Sequence, residues 1–423
     1  MRLRDTKRQN TFAVLDIGSS KVTCLIGEED PDFGIRLAAH GISCATGIRS
    51  GVIVDMDLAE NAVRKAVEKA ERGAGMAIHT VDVNVSTRSL RSNHLKVQTE
   101  FARGEIADRD LRRVMNSSLA ELAQPDYAIL HAIPINWSVD GEDYINRPVG
   151  MHGSRLGVNM HFVISDIGPL RNLARCVERS HLQIKSVTAS PYASGLGVLT
   201  NDERDIGATV IEMGGGSTSL AVFRDDTFCC VDTVGVGGQT VTQDVARGLV
   251  TPIEAAERIK LIYGSALQGA DDDRVQIPCP PMGAQDSLRH EPRSSLTRII
   301  RSRIEETFEI LCDRMQARRL ENYIGSPIVL TGGASRLNGV REVAECVFNK
   351  RVRLGQPHGI LGLDDVLSGP DFAVAAGLLK GRHHNNQFEV VRGMPDLSGR
   401  CYLQKRYSGG GVGRVWRWIC DNF

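Results

Sequence analysis

The sequence predicts an α/β fold made of two pseudo-symmetric halves, because one strand–turn–strand pattern occurs twice and a related glycine turn follows it. AVLDIGSSKVTCLIG covers residues 13–27, and TVIEMGGGSTSLAVF covers residues 209–223. Each has an apolar strand, an acidic residue, a turn of glycine and serine, and a second apolar strand. SPIVLTGGASRLNGV, at 326–340, has the pattern of a strand that ends in Gly-Gly before a helix.

The two hairpin turns have the chemistry of a phosphate site. Glycine lets backbone amides approach phosphate oxygens, and successive N–H groups form an anion-binding nest. Hydroxyl groups can donate further bonds, and a leading carboxylate can hold a hydrated Mg²⁺. A single copy would more simply be an ordinary glycine turn, but two copies favour a shared site. The predicted phosphate-binding residues are Asp16, Gly18, Ser19, Ser20, Lys21, Glu212, Gly214, Gly215, Gly216, Ser217 and Thr218. Asp16 and Glu212 are predicted to hold the metal through water.

The third turn indicates an adenosine site. Gly332 and Gly333 would let a flat ring lie against the backbone. Taken alone, the pair would more simply be a strand-to-helix turn, but its place after two phosphate hairpins favours nucleotide binding. Ala334 and Arg336 in the same turn are assigned to this site.

Composition limits the class of protein. The 423 residues include 51 basic and 51 acidic side chains, so the chain lacks the basic field of a nucleic-acid-binding protein. Ten cysteines without a C-x-x-C pair fit a reducing cytosol. The N-terminal residues 1–10 are basic, are expected to be flexible, and precede no apolar signal region. No apolar stretch is long enough to span a bilayer, so membrane contact would need a shorter segment.

Hydrophobic periodicity gives a coarse element order. Leu58, Ala62, Val63, Ala66, Val67 and Ala70 share one face of a helix predicted over 58–72. Further helices are predicted at 109–122, 170–180, 192–199, 253–262 and 296–320, and further strands at 81–85, 127–134, 184–187 and 328–330. Residues 268–295 are polar and contain Pro278, Pro280 and Pro281, so they are expected to form an irregular loop.

In this order, the three glycine segments resemble the phosphate 1, phosphate 2 and adenosine motifs of the actin, Hsp70 and sugar-kinase superfamily. Residues 189–199 and 371–379 (DFAVAAGLL) resemble its two connecting helices. The resemblance implies an actin-like ATPase fold, in which ATP lies between two RNase H-like domains. It also implies that Glu257 and Lys260 face the ribose and adenine, although an exposed helix pair explains these two residues equally well.

Within that superfamily, segments at 51–71, 131–156, 176–187 and 328–357 resemble the FtsA family of bacterial cell-division proteins, and the resemblance covers nearly the whole chain. It implies an inserted subdomain 1C at 86–165 and a subdomain 2B at 241–325. The remaining implied parts are subdomain 1A at 11–85, 166–200 and 364–380, and subdomain 2A at 201–240 and 326–363.

The family resemblance also implies partners. Subdomain 1C is expected to contribute to self-assembly, as a filament or homodimer, and to recruit later divisome proteins. Subdomain 2B is expected to bind the C-terminal tail of FtsZ. Arg303 matches a basic position implicated in that binding, although an exposed helix arginine is at least as good an explanation. The implied location is the cytoplasmic face of the inner membrane at the division septum.

The C-terminal segment predicts a membrane anchor. Residues 381–411 are polar, end in glycines, and are expected to be a flexible linker. Residues 412–423 (VGRVWRWICDNF) have the pattern of an amphipathic helix. Tryptophan favours the bilayer interface and arginine meets anionic headgroups. The alternative is a terminal helix that packs on the body. The predicted membrane-binding residues are Val412, Arg414, Val415, Trp416, Arg417, Trp418, Ile419 and Phe423.

Efficient ATP hydrolysis is not expected from these motifs. The first connecting helix opens with Ser190-Pro191, which offers no carboxylate to orient water. Glu212 replaces the usual aspartate of the superfamily, and Ser219 stands where the FtsA family often has a second one. We therefore expect ATP to act mainly as a conformational and assembly ligand. The alternatives are another actin-like assembly protein, for cell shape or pili, and a sugar-kinase-like phosphotransferase, for which no catalytic aspartate is found. An Hsp70-like chaperone would need a longer C-terminal domain.

Overall fold

The computed structural model describes residues 11–30, 34–122, 126–283, 287–320, 323–325 and 327–382. The predicted membrane helix lies outside the described residues. So does the predicted linker, apart from Gly381 and Arg382, and Gly381 closes the last helix. Within the described ranges, no helix is both long enough and apolar enough to cross a membrane.

The strands of the described residues, in chain order, are β1 Thr11–Ile17, β2 Lys21–Asp30, β3 Gly34–Cys44, β4 Ile48–Arg49, β5 Val52–Ile53, β6 Thr80–Val85, β7 Arg91–Glu105, β8 Tyr127–Val139, β9 Glu142–Ile145, β10 His152–Asp166, β11 Gln183–Ala189, β12 Ala208–Met213, β13 Thr218–Arg224, β14 Thr227–Val234, β15 Gln276–Cys279, β16 Arg289–Pro292, β17 Ile328–Thr331 and β18 Val352–Leu354. The α-helices are α1 Met56–Ala74, α2 Asp108–Leu122, α3 Ile167–Arg179, α4 Ser190–Val198, α5 Asn201–Ile206, α6 Gly238–Gly248, α7 Ile253–Tyr263, α8 Arg293–Ala317, α9 Val340–Phe348 and α10 Ala373–Gly381. Short 3₁₀ turns span Gly333–Arg336 and Pro370–Phe372.

The two large sheets repeat one topology. In the first sheet the order is β11-β6-β1-β2-β3, with β1 antiparallel to β2 and parallel to β6. In the second sheet, β18-β17-β12-β13-β14 repeats this order with the same parallel and antiparallel pairings. The structure therefore confirms the prediction of two pseudo-symmetric halves, each of which opens with one of the glycine hairpins.

A separate unit interrupts the first half after β6. It consists of β7–β10 and α2, and it encloses its own core around Trp137 and Phe162. Its strand β7 extends the second sheet by pairing with β14, where Arg91 lies opposite Asp232. An insertion therefore lies within the range predicted from sequence, and its strand β7 extends the sheet of the second half.

The second insertion lies between β14 and β17 and includes α6, α7 and α8. The expectation of an irregular loop at 268–295 was wrong in part, because β15 and β16 form an antiparallel pair and α8 begins at Arg293. Ile277 and Cys279 are buried in the core while Gln276 is exposed, which is the period of a strand. Proline is tolerated in a strand at a sheet edge, so the prolines of this segment do not exclude a strand.

The helix predicted at 58–72 is confirmed, with one change to its buried face. Asp55 caps α1 by accepting from the Leu58 amide at 3.0 Å, and Gly75 ends it at φ 67°. Leu58 was predicted in the buried face, but it lies in the first turn and is exposed, while Ala59 is buried. The buried stripe packs on β3, where a Cβ on Gly41 would lie 1.9 Å from the Ala66 carbonyl oxygen.

Candidate functional site

The turns of the two glycine hairpins lie against each other. Each turn is closed by a backbone hydrogen bond, from Gly18 to Lys21 at 3.1 Å and from Gly214 to Ser217 at 2.9 Å. A Cβ added to Gly215 would lie 3.2 Å from the Ser20 Cβ. Residues from opposite halves of the molecule thus meet at the two positions where phosphate binding is predicted.

The hydroxyl groups of the hairpins differ in their availability. Ser20 is exposed, whereas Ser19 and Ser217 are mostly buried. The Ser19 hydroxyl accepts from the Gly51 amide at 2.9 Å. Thr218 is fully buried and donates to the Val236 carbonyl at 2.8 Å, so this hydroxyl is already engaged within the second half. Of the four predicted hydroxyl donors, Ser20 is therefore the best placed for a ligand.

The two predicted metal carboxylates lie behind the turns, near the ends of β1 and β12. Burial raises the pKa of Asp16 to about 7, although the charge of Lys21 opposes this. Burial and the negative charge of Asp16 raise the pKa of Glu212 to about 8, against a hydrogen bond from Ser194. Glu212 Oε2 is shielded from solvent and has no hydrogen-bond partner among the described residues.

These carboxylates fit a hydrated cation. A buried, unpartnered carboxylate oxygen beside a second buried carboxylate is stabilised by a divalent ion, which offsets the cost of burial. Within the described parts of the chain, no three His, Cys, Asp or Glu side chains group as metal ligands. Asp16 and Glu212 would hold Mg²⁺ through water and ligand oxygens, because Mg²⁺ usually keeps several of its water ligands.

Two side chains at this site were missed from the sequence. The Asn84 amide donates to Asp16 Oδ1 at 2.8 Å and to the Ser190 hydroxyl at 3.0 Å. Its oxygen accepts from the Ile17 amide at 2.7 Å. Gln239, at the start of α6, donates to the Ser19 carbonyl at 2.9 Å and so ties the second half to the first turn. The available signal for Asn84 was a polar residue at the apolar end of β6.

The predicted adenosine residues group on the second half. Gly332 has φ +83° and packs on the end of β12, since a Cβ there would lie 2.5 Å from the Met213 carbonyl oxygen. Lys260 lies 2.7 Å from Glu257 and donates to the Gly238 carbonyl at 3.2 Å. A Cβ on Gly238 would in turn be 3.4 Å from the Ala334 Cβ.

Gly238 lies between α7, which carries Glu257 and Lys260, and the turn that carries Gly332, Gly333 and Ala334. The two groups of predicted adenosine residues are therefore close together. Glu257 and Lys260 also share the Thr242 hydroxyl, which lies 2.8 Å from Lys260 Nζ. Glu257 and Lys260 are therefore part of a partly buried hydrogen-bond network. This favours a structured site over two freely solvated residues on the surface of α7.

The two predicted connecting helices cross at small residues. A Cβ on Gly377 of α10 would fall 1.6 Å from the Ala193 carbonyl oxygen of α4, and a Cβ on Gly197 would fall 2.3 Å from the Ala373 carbonyl oxygen. Only glycine permits this backbone approach. The helix predicted at 192–199 is confirmed as α4, and its small residues let it pack closely on α10.

Arg303, predicted to bind a partner, lies on α8 but is already paired. Its Nη1 is 2.5 Å from Glu306 Oε2, and its Nε contacts Asp244 of α6. The arginine side chain is 24% exposed. Its guanidinium can therefore present only part of its charge to a partner.

Comparison with known proteins gives consistent matches. The family model described as cell division protein FtsA matches residues 209–377, and the model described as the SHS2 domain inserted in FtsA matches residues 87–164. A cell division protein FtsA from Rhizobium meliloti (strain 1021) is 42% identical over 386 residues, which cover 88% of this chain and 87% of that protein.

Solved structures of distant sequence share the fold. The PilM-PilN type IV pilus biogenesis complex matches with a TM-score of 0.61 and 17% identity, covering 87% of this chain and 97% of that chain. MreB5 of Spiroplasma citri bound to ADP matches with a TM-score of 0.53 and 12% identity, covering 89% and 99%. These likenesses confirm the predicted actin-like ATPase fold.

Proposed function

Since the chain belongs to the FtsA family of bacterial cell-division proteins, we propose that it is an ATP-binding adaptor that holds the FtsZ ring to the inner face of the cytoplasmic membrane. It assembles with copies of itself and recruits later divisome proteins through the inserted unit β7–β10. The observation that carries the nucleotide part of this proposal is the contact between the two hairpin turns, at Gly215 and Ser20.

In this proposal the two halves bind one ATP between them. The amides of the two turns, Lys21 and Ser20 bind the phosphates, and the Gly332–Gly333 turn with Lys260 lies beside the adenosine. Mg²⁺, when bound, neutralises phosphate charge. Asp16 and Glu212 hold its water shell, and Asn84 keeps the Asp16 carboxylate in place. The ADP-bound state of MreB5, which shares the fold at a TM-score of 0.53, supports a nucleotide in such a cleft.

The membrane part rests on the C-terminal sequence. The described chain ends beside the first half, where Arg382 Nε pairs with Glu29 Oε1 at 2.8 Å and the guanidinium lies over the Phe12 ring. The polar segment that follows would let residues 412–423 reach a bilayer without fixing the orientation of the folded domains relative to the membrane. A short amphipathic helix binds reversibly, so assembled copies would bind lipid through avidity.

Liposome co-sedimentation with FtsZ tests the adaptor function. The full chain is compared with a chain that ends at Gly411, on vesicles that contain anionic lipid, with and without ATP and Mg²⁺. We expect FtsZ to pellet only with the full chain. Recruitment of FtsZ by the truncated chain would overturn the anchor, and loss of FtsZ in both cases would overturn the partnership.

Nucleotide binding is tested separately by calorimetry with ATP and Mg²⁺. A matched variant, Gly215→Val, introduces a branched side chain into the contact between the turns. We expect this variant to lose ATP binding while it remains folded by circular dichroism. Equal binding by both proteins would place the nucleotide elsewhere.

A further inference from the structure

One carboxylate lies between two cations that come from different halves of the molecule. Asp371 Oδ2 is 2.5 Å from Lys21 Nζ, and Asp371 Oδ1 is 3.3 Å from Arg336 Nη1. Lys21 follows the first hairpin turn, and Arg336 ends the 3₁₀ turn after Gly332. Asp371 therefore connects the cation nearest the predicted phosphate site to the cation nearest the predicted adenosine site.

Lys21 depends on an anionic neighbour. Its ammonium lies 3.0 Å from the centre of the Phe372 ring, and only 21% of its side chain is exposed. Burial lowers the pKa of Lys21, and the hydrogen bond and charge of Asp371 oppose this. A partly buried ammonium needs a counter-charge, and Asp371 supplies it in this structure.

The backbone holds Asp371 in position. The Gly332 amide donates to the Pro370 carbonyl at 3.0 Å, and the Thr331 hydroxyl donates to the same oxygen at 3.2 Å. The Phe372 amide donates to the Gly369 carbonyl at 3.0 Å, closing the 3₁₀ turn. The carboxylate is thus fixed at the Gly-Gly turn by the chain around it.

We propose that Asp371 acts as an internal substitute for the nucleotide phosphates, and that it must release Lys21 when a phosphate-bearing nucleotide binds. This inference rests on the proposed ATP site. Phosphate oxygens and the Asp371 carboxylate compete for the same ammonium, while uncharged adenosine does not. Asp371 therefore competes with the phosphates for Lys21 and weakens nucleotide binding.

The test compares ATP, ADP and adenosine on the full chain by calorimetry. Asp371→Asn keeps the shape of the side chain but removes its charge. Asp365→Asn is the matched control, because Asp365 is an exposed acid of the same segment, and among the described residues only its backbone carbonyl accepts a side-chain hydrogen bond, from Ser368. An ion pair of this exposure corresponds to a change of up to about fivefold, so we expect Asp371→Asn to bind ATP and ADP about threefold tighter. Adenosine affinity should not change, and Asp365→Asn should match the wild type.

Three results would overturn the inference. Unchanged ATP affinity in Asp371→Asn would remove the competition. An equal shift for adenosine would show a general structural effect, and weaker ATP binding would show that Asp371 helps to orient Lys21 toward the phosphates. Asp371→Glu, which retains the charge, should bind ATP as the wild type does. If the wild-type chain binds no nucleotide at all, the proposed function fails first, and this inference fails with it.

Discussion

Glu212 and Asp16 belong to different halves of the molecule, yet the charge of Asp16 adds to burial in raising the pKa of Glu212 to about 8. Burial holds the pKa of Asp16 at about 7. Because both carboxyl groups keep their protons to near neutral pH, any cation that they hold through water would bind with an affinity that depends on pH.

We predict that binding of ATP with Mg²⁺ releases protons near neutral pH. The metal favours ionised carboxylates, so affinity should increase from about pH 6 to about pH 8, as Glu212 and Asp16 lose their protons. Calorimetry in two buffers of different ionisation enthalpy measures the protons released. Glu212→Gln should release fewer protons and bind more weakly. Proton-free binding by the wild type would contradict the assignment of these two residues.

We also predict that Glu212 makes the free protein less stable as pH rises. Its pKa in the folded chain is raised from 4.5 to about 8, so the stability it contributes is fully present below about pH 4 and is lost as pH rises through 8. Glu212→Gln cannot ionise. Without nucleotide, its free energy of unfolding should exceed that of the wild type at about pH 8.5 by about 1–3 kcal/mol, with little difference near pH 5.

Urea unfolding at the two pH values measures this difference. Glu254→Gln, at an exposed position of α7, is the control for loss of a negative charge and should not alter the pH profile. A Glu212→Gln protein that is no more stable than the wild type at the higher pH would show that Glu212 ionises without cost.

Gly377 should be essential for the crossing of α4 and α10. A Cβ at this position would lie 1.6 Å from the Ala193 carbonyl oxygen, so the two helices must separate to admit alanine. We expect Gly377→Ala to lower the free energy of unfolding by about 3 kcal/mol. Gly381→Ala on the same helix is the control, because its Cβ would lie 3.5 Å from Leu196 Cδ1, at ordinary contact distance. Equal thermal stability of the two variants would contradict the packing.

The contrast between predicted and missed residues has a physical cause. Asp16, Glu212 and the three glycine turns could be predicted, because each lies in a local pattern that a short window of sequence contains. Asn84 stands out in the sequence only as a polar residue in an apolar strand, and its bond to Asp16, like the pairing of Asp371 with Lys21, could not be predicted because each joins segments far apart in the chain.

The second insertion shows the same limit. The pair β15 and β16 was not expected, since two four-residue strands with prolines give too short an alternation to recognise. Ile277 of β15 is buried in one core with residues of α8, and this tertiary contact, which the local sequence does not reveal, stabilises the strand.

Arg303 should have a limited effect on FtsZ binding. Because Asp244 and Glu306 already neutralise part of its charge, we expect Arg303→Ala to weaken binding of the FtsZ tail by about three- to fivefold. Fluorescence anisotropy with a labelled FtsZ tail peptide measures this change. Arg301→Ala is the control, since Arg301 lies on the same helix in an exposed pair with Glu305. Equal affinities for both variants would exclude Arg303 from the docking surface.

ATP turnover should be slow. At the start of α4, Ser190 accepts a hydrogen bond from Asn84 at 3.0 Å, and no carboxylate occupies this position to orient an attacking water. Ser219 is bonded to the Thr233 hydroxyl at 3.0 Å inside the second sheet, so it cannot act as a base in the cleft. We therefore expect a turnover number below about 1 s⁻¹, at the low end for enzymes.

Phosphate release by the full chain, with and without lipid vesicles, measures this rate. Glu212→Gln serves as the comparison for contaminating ATPases: turnover by this chain should fall in a variant that binds ATP with Mg²⁺ more weakly, whereas activity from a contaminant should stay the same. A rate well above 1 s⁻¹ that disappears in Glu212→Gln would contradict the prediction. Glu212, whose raised pKa suits a proton acceptor near neutral pH, would then be the residue to examine as the base.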